Sequence, residues 1–420
     1  MGTRAFLPRQ LRIRDFFTDL FYPRNFLYAA REVPGVRITA IIPTYKPPHC
    51  IISLVQRLLR DPLVAEVVIV DDASPHGSEE IFQELETLER GTMQMKIKII
   101  HLKENLHRAG AVNEGLRTRS LPSGPRHDIL VLDDDVVLEE GALTALARQL
   151  HVHERIGAVC TQARVANRRE NLLTRLQGLE YVGFNVSRVA DRGFLYGPLI
   201  MHGLASLIKS EVLIDQAKGY DRTQLLEDYD LTVRIKTLGY HVALADASFA
   251  STIVPAQWGQ LWKQRVRWQY GGMHVIKSHW RMVCALLPDM LSHALTITLY
   301  TAIISSIFWH TYGIGESGLI TVVRVTSLFT SIVFYFFQLY VILFLDRGRD
   351  WKDIVLRIML VPEFVYAVIL SFVLLGSYVF FLYTMMKNKL ILRVATAEKV
   401  LKYSDKMFSW FGFTTTWGTK

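Results

Sequence analysis

The chain has 420 residues, 50% of them hydrophobic, and a formal net charge of +9 at pH 7. Its cysteines, Cys50, Cys160 and Cys284, are scattered without CxxC spacing, which argues against a disulfide framework and fits a reducing compartment. The basic balance suits an anionic lipid surface or phosphorylated substrates; with no basic-aromatic RNA motif and no zinc spacing, nucleic acid is set aside as a partner.

Residues 1–35 mix Arg9, Arg12, Arg14 and Arg24 with Leu11, Phe16, Phe17, Leu20, Phe21 and Phe26. The apolar runs are too short to span a bilayer or to serve as a cleavable signal peptide. The segment reads as a basic amphipathic membrane-surface element, or else as exposed chain. From Val36 to residue 252 the pattern is α/β. Val36–Pro43, Glu66–Asp72, Lys96–Leu102 and Asp128–Asp134 are short β-branched runs, separated by helical patterns at Ile51–Arg60, Ser78–Glu89 and Ala109–Ser120. Near-continuous apolar runs of this kind are buried parallel strands, whose carboxyl ends hold ligands in open sheets. Ala142–Gln149 follows as helix, Ile156–Thr161 as strand and Tyr229–Leu238 as helix.

Residues 253–288 read as interfacial helices, the main one running from Trp258 to about Val275. Residues 289–386 form the expected membrane region, with apolar segments Met290–Tyr312, Leu319–Leu345 and Asp353–Tyr383. A charged loop of cytosolic type, Asp346–Lys352, divides the second from the third. A third full crossing would put Lys387, Lys389 and Arg393 outside, against the positive-inside rule. The third segment is therefore expected to be re-entrant and broken near Pro362, or the amino-terminal segment enters the membrane. Residues 387–420 are a basic amphipathic tail.

Two strands end in acids. Asp133-Asp134-Asp135 is costly at a buried strand end unless it meets solvent or a cation, and carboxylates two positions apart can hold a divalent ion alongside diphosphate oxygens. Asp71-Asp72 serves either a base or ribose, or an Asx-type turn. His107-Arg108-Ala109-Gly110 places a cation and small residues at a helix start, where a phosphate can approach the backbone, or forms an ordinary basic loop. Glu227-Asp228 provides a general base or a helix cap. At helical spacing Gln264, Arg267 and Trp268 share a face, offering an amide, a guanidinium and an indole to a diphosphate and a sugar ring; a membrane-surface helix is the plainer reading.

The order of these signals, strand–DDAS, HRAG, strand–DDD, LLEDYDL, QRVRW and then apolar helices, resembles the processive, membrane-embedded members of glycosyltransferase family 2, which include cellulose, chitin and hyaluronan synthases. The resemblance covers roughly Val36 to Trp268. It implies a cytosolic α/β GT-A (Rossmann-like) catalytic domain, interfacial amphipathic helices and an α-helical transmembrane region. By the same resemblance Pro43, Tyr45, Asp71, Asp72 and Arg108 would contact the nucleotide of a UDP-sugar donor. Asp133 and Asp135 would hold Mg²⁺ or Mn²⁺ on the diphosphate, with Asp134 between them. Asp228, beside Glu227, would be the general base, and Gln264 and Arg267 would face the leaving diphosphate. Trp268 would floor the terminal sugar of the growing polysaccharide acceptor, with Gly203 nearby. The expected setting is the plasma membrane, multi-pass, and a channel of so few helices suggests a homo-oligomer.

Trp417-Gly418-Thr419-Lys420 is similar to a gating element of hyaluronan synthases, whereas LLEDYDL is closer to cellulose or poly-N-acetylglucosamine synthases. The two ends of the chain thus point to different products. A non-processive transferase and an inactive export scaffold are the competing readings.

Overall fold

The computed structural model describes residues 35–91, 96–190, 197–282, 318–346, 348–390 and 397–413, with isolated helical positions between 286 and 298. The chain divides into two compact units, residues 1–285 with 369–420, and residues 286–368.

The first unit is built on one eight-stranded sheet of order β3-β2-β1-β4-β7-β6-β8-β5. Strands β1 (Arg37–Thr44), β2 (Val64–Asp71), β3 (Lys96–His101) and β4 (His127–Leu132) alternate with α1 (Cys50–Arg60), α2 (Glu79–Gly91) and α3 (His107–Thr118). The four strands are mutually parallel, as expected. Both faces of this half are covered. Ile38, Ala40 and Ile42 of β1 pack in the core that holds Ile51 and Leu58 of α1 and Leu85 of α2, whereas Ile41 packs in the core with Val112 and Leu116 of α3. Double coverage is why these strands read as continuous apolar runs.

Past β4 the sheet turns mixed, in departure from a Rossmann-like arrangement. It continues through β5 (Val137–Leu138), α4 (Ala142–His151), β6 (Ile156–Val165), α5 (Leu172–Ala190), β7 (Ala205–Lys209), a π-helix (Glu211–Gln216), α6 (Glu227–Thr237) and β8 (His241–Thr252). β7 lies between β4 and β6 and is antiparallel to both. Sequence reading finds neither β7 nor β8, because the first is five residues long and the second, HVALADASFAST, is rich in weak strand formers. The reversal matters for the site. Leu132 at the end of β4 pairs with Ala205 at the start of β7, so the residues entering β7 sit beside the acids leaving β4. The Asp133 amide donates to the Leu204 carbonyl at 3.1 Å.

The same unit contains α7 (Trp258–Ser278), longer than expected by a few residues. Its Val266 and Tyr270 pack with Val373, Phe380 and Phe413, from the carboxyl-terminal part of α10 (Val361–Leu390) and the chain just after α11 (Ala397–Trp410). Gly376 makes room there, since a Cβ would lie 2.4 Å from the Phe413 ring.

In the second unit, α8 (Gly318–Tyr340) runs on into a π-helix at Val341–Leu345, so the expected span Leu319–Leu345 is helical throughout. α9 (Trp351–Met359) opens with a reciprocal cap between Asp350 and Asp353. Of the two alternatives left open by the charge pattern, a break near Pro362 is present: Leu360 takes φ 59° and α10 restarts at Val361. Pro362 falls in the first turn of α10, where its missing N–H is not needed. Val361–Lys387 is the one helix among the described residues long and apolar enough to cross a membrane. The segment 1–34, most of Met290–Tyr312 and the tail 414–420, which holds Trp417, Gly418, Thr419 and Lys420, lie outside the described residues.

Candidate active site

Loops at the carboxyl rim of the parallel strands hold strained backbone. Lys46 after β1, Ala73 after β2 and His107 at the start of α3 have φ of 57°, 57° and 58°. Each non-glycine residue in such a conformation costs about 1–3 kcal/mol, a burden typical of places where groups are held for function.

Arg108 is the hub of this rim. Its Nε donates to Asp133 Oδ1 at 2.8 Å, one terminal nitrogen to Glu227 Oε1 at 2.9 Å and Asp228 Oδ1 at 2.8 Å, and the other to the Gly203 carbonyl at 2.9 Å. A planar fork with five N–H donors can gather four acceptors in this way; an ammonium point charge cannot match that geometry. Burial opposes the charge, but Asp133, Asp228 and Glu227 outweigh it and hold the guanidinium above its ordinary range. For Asp228, burial dominates over the Arg108 charge and pushes the carboxyl up to about 7. Tyr220, a buried phenol that sequence reading missed, is pushed above its usual range by burial and then by Asp228, and so stays neutral against the cluster.

The three acids after β4 are divided among three elements. Asp133 goes to Arg108, Asp134 Oδ2 accepts from Thr44 Oγ1 of β1 at 2.5 Å, and Asp135 Oδ2 accepts from Thr252 Oγ1 of β8 at 2.9 Å. Burial raises both Asp134, to about 7, and Asp135. Among the described residues no set of three or more His, Cys, Asp or Glu side chains could close around a metal ion. Hard carboxylate oxygens at Asp133 and Asp135 fit Mg²⁺ or Mn²⁺ of the kind that takes one or two protein carboxylates and completes its shell with substrate phosphates.

The acids after β2 are engaged differently. Asp71 accepts the Ser74 amide at 2.9 Å and faces His101 Nδ1 at 2.8 Å; Asp72 accepts the Leu106 amide at 2.6 Å. A cleft beside them is lined by Asp71, Ser74, His76, Phe82 and His101. Pro43 is buried in β1, and Tyr45 is exposed just past it with the Lys46 ammonium 5.4 Å from its ring centroid.

On α7 the expected trio is split by environment. Arg267 is exposed, whereas Gln264 and Trp268 are half-buried, Trp268 against Ala163, Tyr181 and Val254. The hydrogen bonds of Arg108 take in none of the three. The buried cation of the motif is Arg265, which helical spacing had left off the face. Asp230, one turn into α6, was also missed. It is 1% exposed and joins Arg234 at 2.7 Å to His279 at the end of α7, also at 2.7 Å. A third carboxylate in the run EDYD was the available signal.

The family described as Glycosyltransferase like family 2 matches residues 34–271. A poly-β-1,6-N-acetyl-D-glucosamine synthase of Staphylococcus epidermidis is 25% identical over 306 residues, 69% of this chain and 70% of that protein. One from Staphylococcus aureus (strain COL) is 23% identical over 265 residues, 61% of each chain. Among solved structures, a mannosyltransferase from Pyrobaculum calidifontis in complex with GDP-Man and Mn²⁺ superposes with a TM-score of 0.54 at 15% identity, covering 84% of this chain and 93% of that one. At that identity the likeness is one of fold.

Proposed function

The chain belongs to glycosyltransferase family 2, and from that premise we propose that it is an inverting, processive polysaccharide synthase that builds a β-linked polymer of N-acetylglucosamine from UDP-N-acetylglucosamine. The observation that carries the reading is the guanidinium of Arg108, which draws an acid of the donor side, Asp133, to within one side chain of the acid pair Glu227-Asp228. Inverting transfer needs that juxtaposition: a place for the diphosphate and, facing the anomeric carbon, a base for the incoming hydroxyl. The sugar is taken from the poly-N-acetylglucosamine synthases that the chain resembles over more than half its length.

In this mechanism Asp228 accepts the proton of the acceptor hydroxyl as its oxygen attacks the anomeric carbon, and the bond to the UDP oxygen breaks on the opposite side. A carboxyl raised to about 7 suits a base working near neutral pH. Arg108 holds the ionised base in place, and Gly203 leaves the space in which base and cation meet. A bound Mg²⁺ or Mn²⁺, held by Asp133 and Asp135, would supply charge neutralisation at the diphosphate. Asp72 and Tyr45 border the place for the base and ribose, and Arg267 and Trp268 offer a cation and a sugar-stacking surface. The setting proposed is the plasma membrane, with the catalytic unit cytosolic, several crossings including Val361–Lys387, and export of the polymer through the same chain.

The test is donor-dependent UDP release by the full chain in nanodiscs with Mg²⁺ or Mn²⁺, offering UDP-sugars singly and in pairs, with Asp228→Asn as control. UDP-N-acetylglucosamine alone giving release and a high-molecular-weight product supports the proposal. A requirement for two donors replaces it with a hyaluronan-like heteropolymer, and one sugar on a lipid replaces it with single addition.

A further inference from the structure

The motif Gln264–Trp268 leaves Arg265 without a role, yet this is the cation of the motif that the fold buries. Arg265 is 4% exposed, and its terminal nitrogen meets Glu180 Oε2 of α5 at 2.5 Å. Its guanidinium carbon lies 4.2 Å from the centroid of the Trp268 ring. The Nε and the other terminal nitrogen are buried without a hydrogen-bond partner among the described residues. A buried guanidinium so sparsely satisfied is a poor choice for stability, since apolar side chains of similar volume usually serve a core as well or better. What the arrangement supplies is direction. Arg265 and Trp268 are one turn apart on the same helix, so the pair meets whatever the neighbours do. Glu180 then fixes where along α5 the guanidinium points. The residue after Glu180, Tyr181, packs in the same cluster as the indole, together with Ala163 of β6 and Val254. One helix thereby anchors the cation and walls the ring.

We propose that Glu180 and Arg265 are positioning residues that set the plane of the Trp268 indole for the acceptor sugar. This rests on the reading of Trp268 as the acceptor floor. With one face of the ring covered by the guanidinium, the sugar stacks on the other, and its tilt relative to Asp228 follows the Glu180–Arg265 pair. Loss of the carboxylate frees the guanidinium to rotate, and lysine in place of arginine keeps the charge but loses the flat surface that lies on the ring. The donor side is not involved, so the signature is a defect in acceptor handling alone.

The experiment uses the full chain in nanodiscs with UDP-N-acetylglucosamine and soluble N-acetylglucosamine oligosaccharides. It measures both KM values, product length, and the partition of donor between hydrolysis and transfer, for Glu180→Gln, Arg265→Lys, Trp268→Ala and Glu180→Gln combined with Trp268→Ala. The expected result is a rise of about three- to tenfold in acceptor KM for each single variant. Products should be shorter and hydrolysis favoured, with donor KM unchanged, and the double variant should be no worse than Trp268→Ala. Glu180→Asp, which keeps the charge, should recover part of the loss, and this separates positioning from misfolding. If Trp268→Ala disturbs the acceptor but Glu180→Gln and Arg265→Lys do not, the positioning role is overturned and the floor stands. If Trp268→Ala itself spares the acceptor, the floor falls and takes the positioning role with it. Additive losses in the double variant, or donor KM moving with acceptor KM, would also overturn it.

Discussion

Two strand ends in this chain look alike as text, Asp71-Asp72 after β2 and Asp133-Asp134-Asp135 after β4, and the fold uses them in opposite ways. The first pair is occupied locally: Asp71 and Asp72 accept the Ser74 and Leu106 amides, and Asp71 faces His101 on the adjoining strand. These contacts close the loops around a cleft. The second set reaches outward, to Arg108 at the start of α3, Thr44 at the end of β1 and Thr252 at the end of β8. At the first end neighbouring amides take up the carboxylates, while at the second the half-buried Arg108 draws Asp133 toward Glu227 and Asp228, the centre proposed for transfer. Substitutions at each end separate an effect on transfer from an effect on stability.

The sharpest contrast is expected from Asp228→Asn and Asp133→Asn, each lowering transfer by about 10²–10⁴-fold while the fold persists, measured as UDP release against the unfolding midpoint. Gly203→Ala tests the crowding of the same centre. Its Cβ would lie 2.4 Å from Asp228 Oδ2 and 2.8 Å from an Arg108 nitrogen. Pushing base and cation apart by such a distance should reduce transfer by about 10²-fold, with unchanged circular dichroism.

A pH profile adds a milder test. The Asp228 carboxyl is raised to about 7, so below that value the proton occupies the base, and activity should climb with pH through the neutral range and level off above it. A flat profile between pH 6 and 8 would remove Asp228 from the role of base. At the other strand end, Asp71→Asn keeps an acceptor for the Ser74 amide but weakens the contact with His101. It should lower stability by about 1–2 kcal/mol and leave transfer within a few-fold of the parent. A collapse of transfer in that variant, with stability intact, would erase the distinction between the two strand ends.

Much of the parallel half was legible because its information is local. Apolar runs bounded by helical periodicity place β1 to β4 within a residue or two, and the acids that end β2 and β4 follow from the same pattern. β7 was not legible: ASLIK owes its place to insertion between β4 and β6, not to any periodicity of its own. The role of α7 was half legible. Spacing put Gln264, Arg267 and Trp268 on one face, but which cation is buried depended on Glu180, 85 residues upstream of Arg265.

The sequence by itself determined the α/β class and the order of the acidic and basic motifs, since each depends on neighbours within a turn or a strand. Tertiary structure alone decided that Arg108 joins Asp133 to Glu227 and Asp228 across as many as 120 residues, and that Arg265 lies under Trp268 while Arg267 faces solvent. The physical reason is that a charge is satisfied by whatever the folded sheet and its helices bring within reach. That geometry is set by strand order and by the antiparallel β7, neither of which is written in any local stretch of the chain.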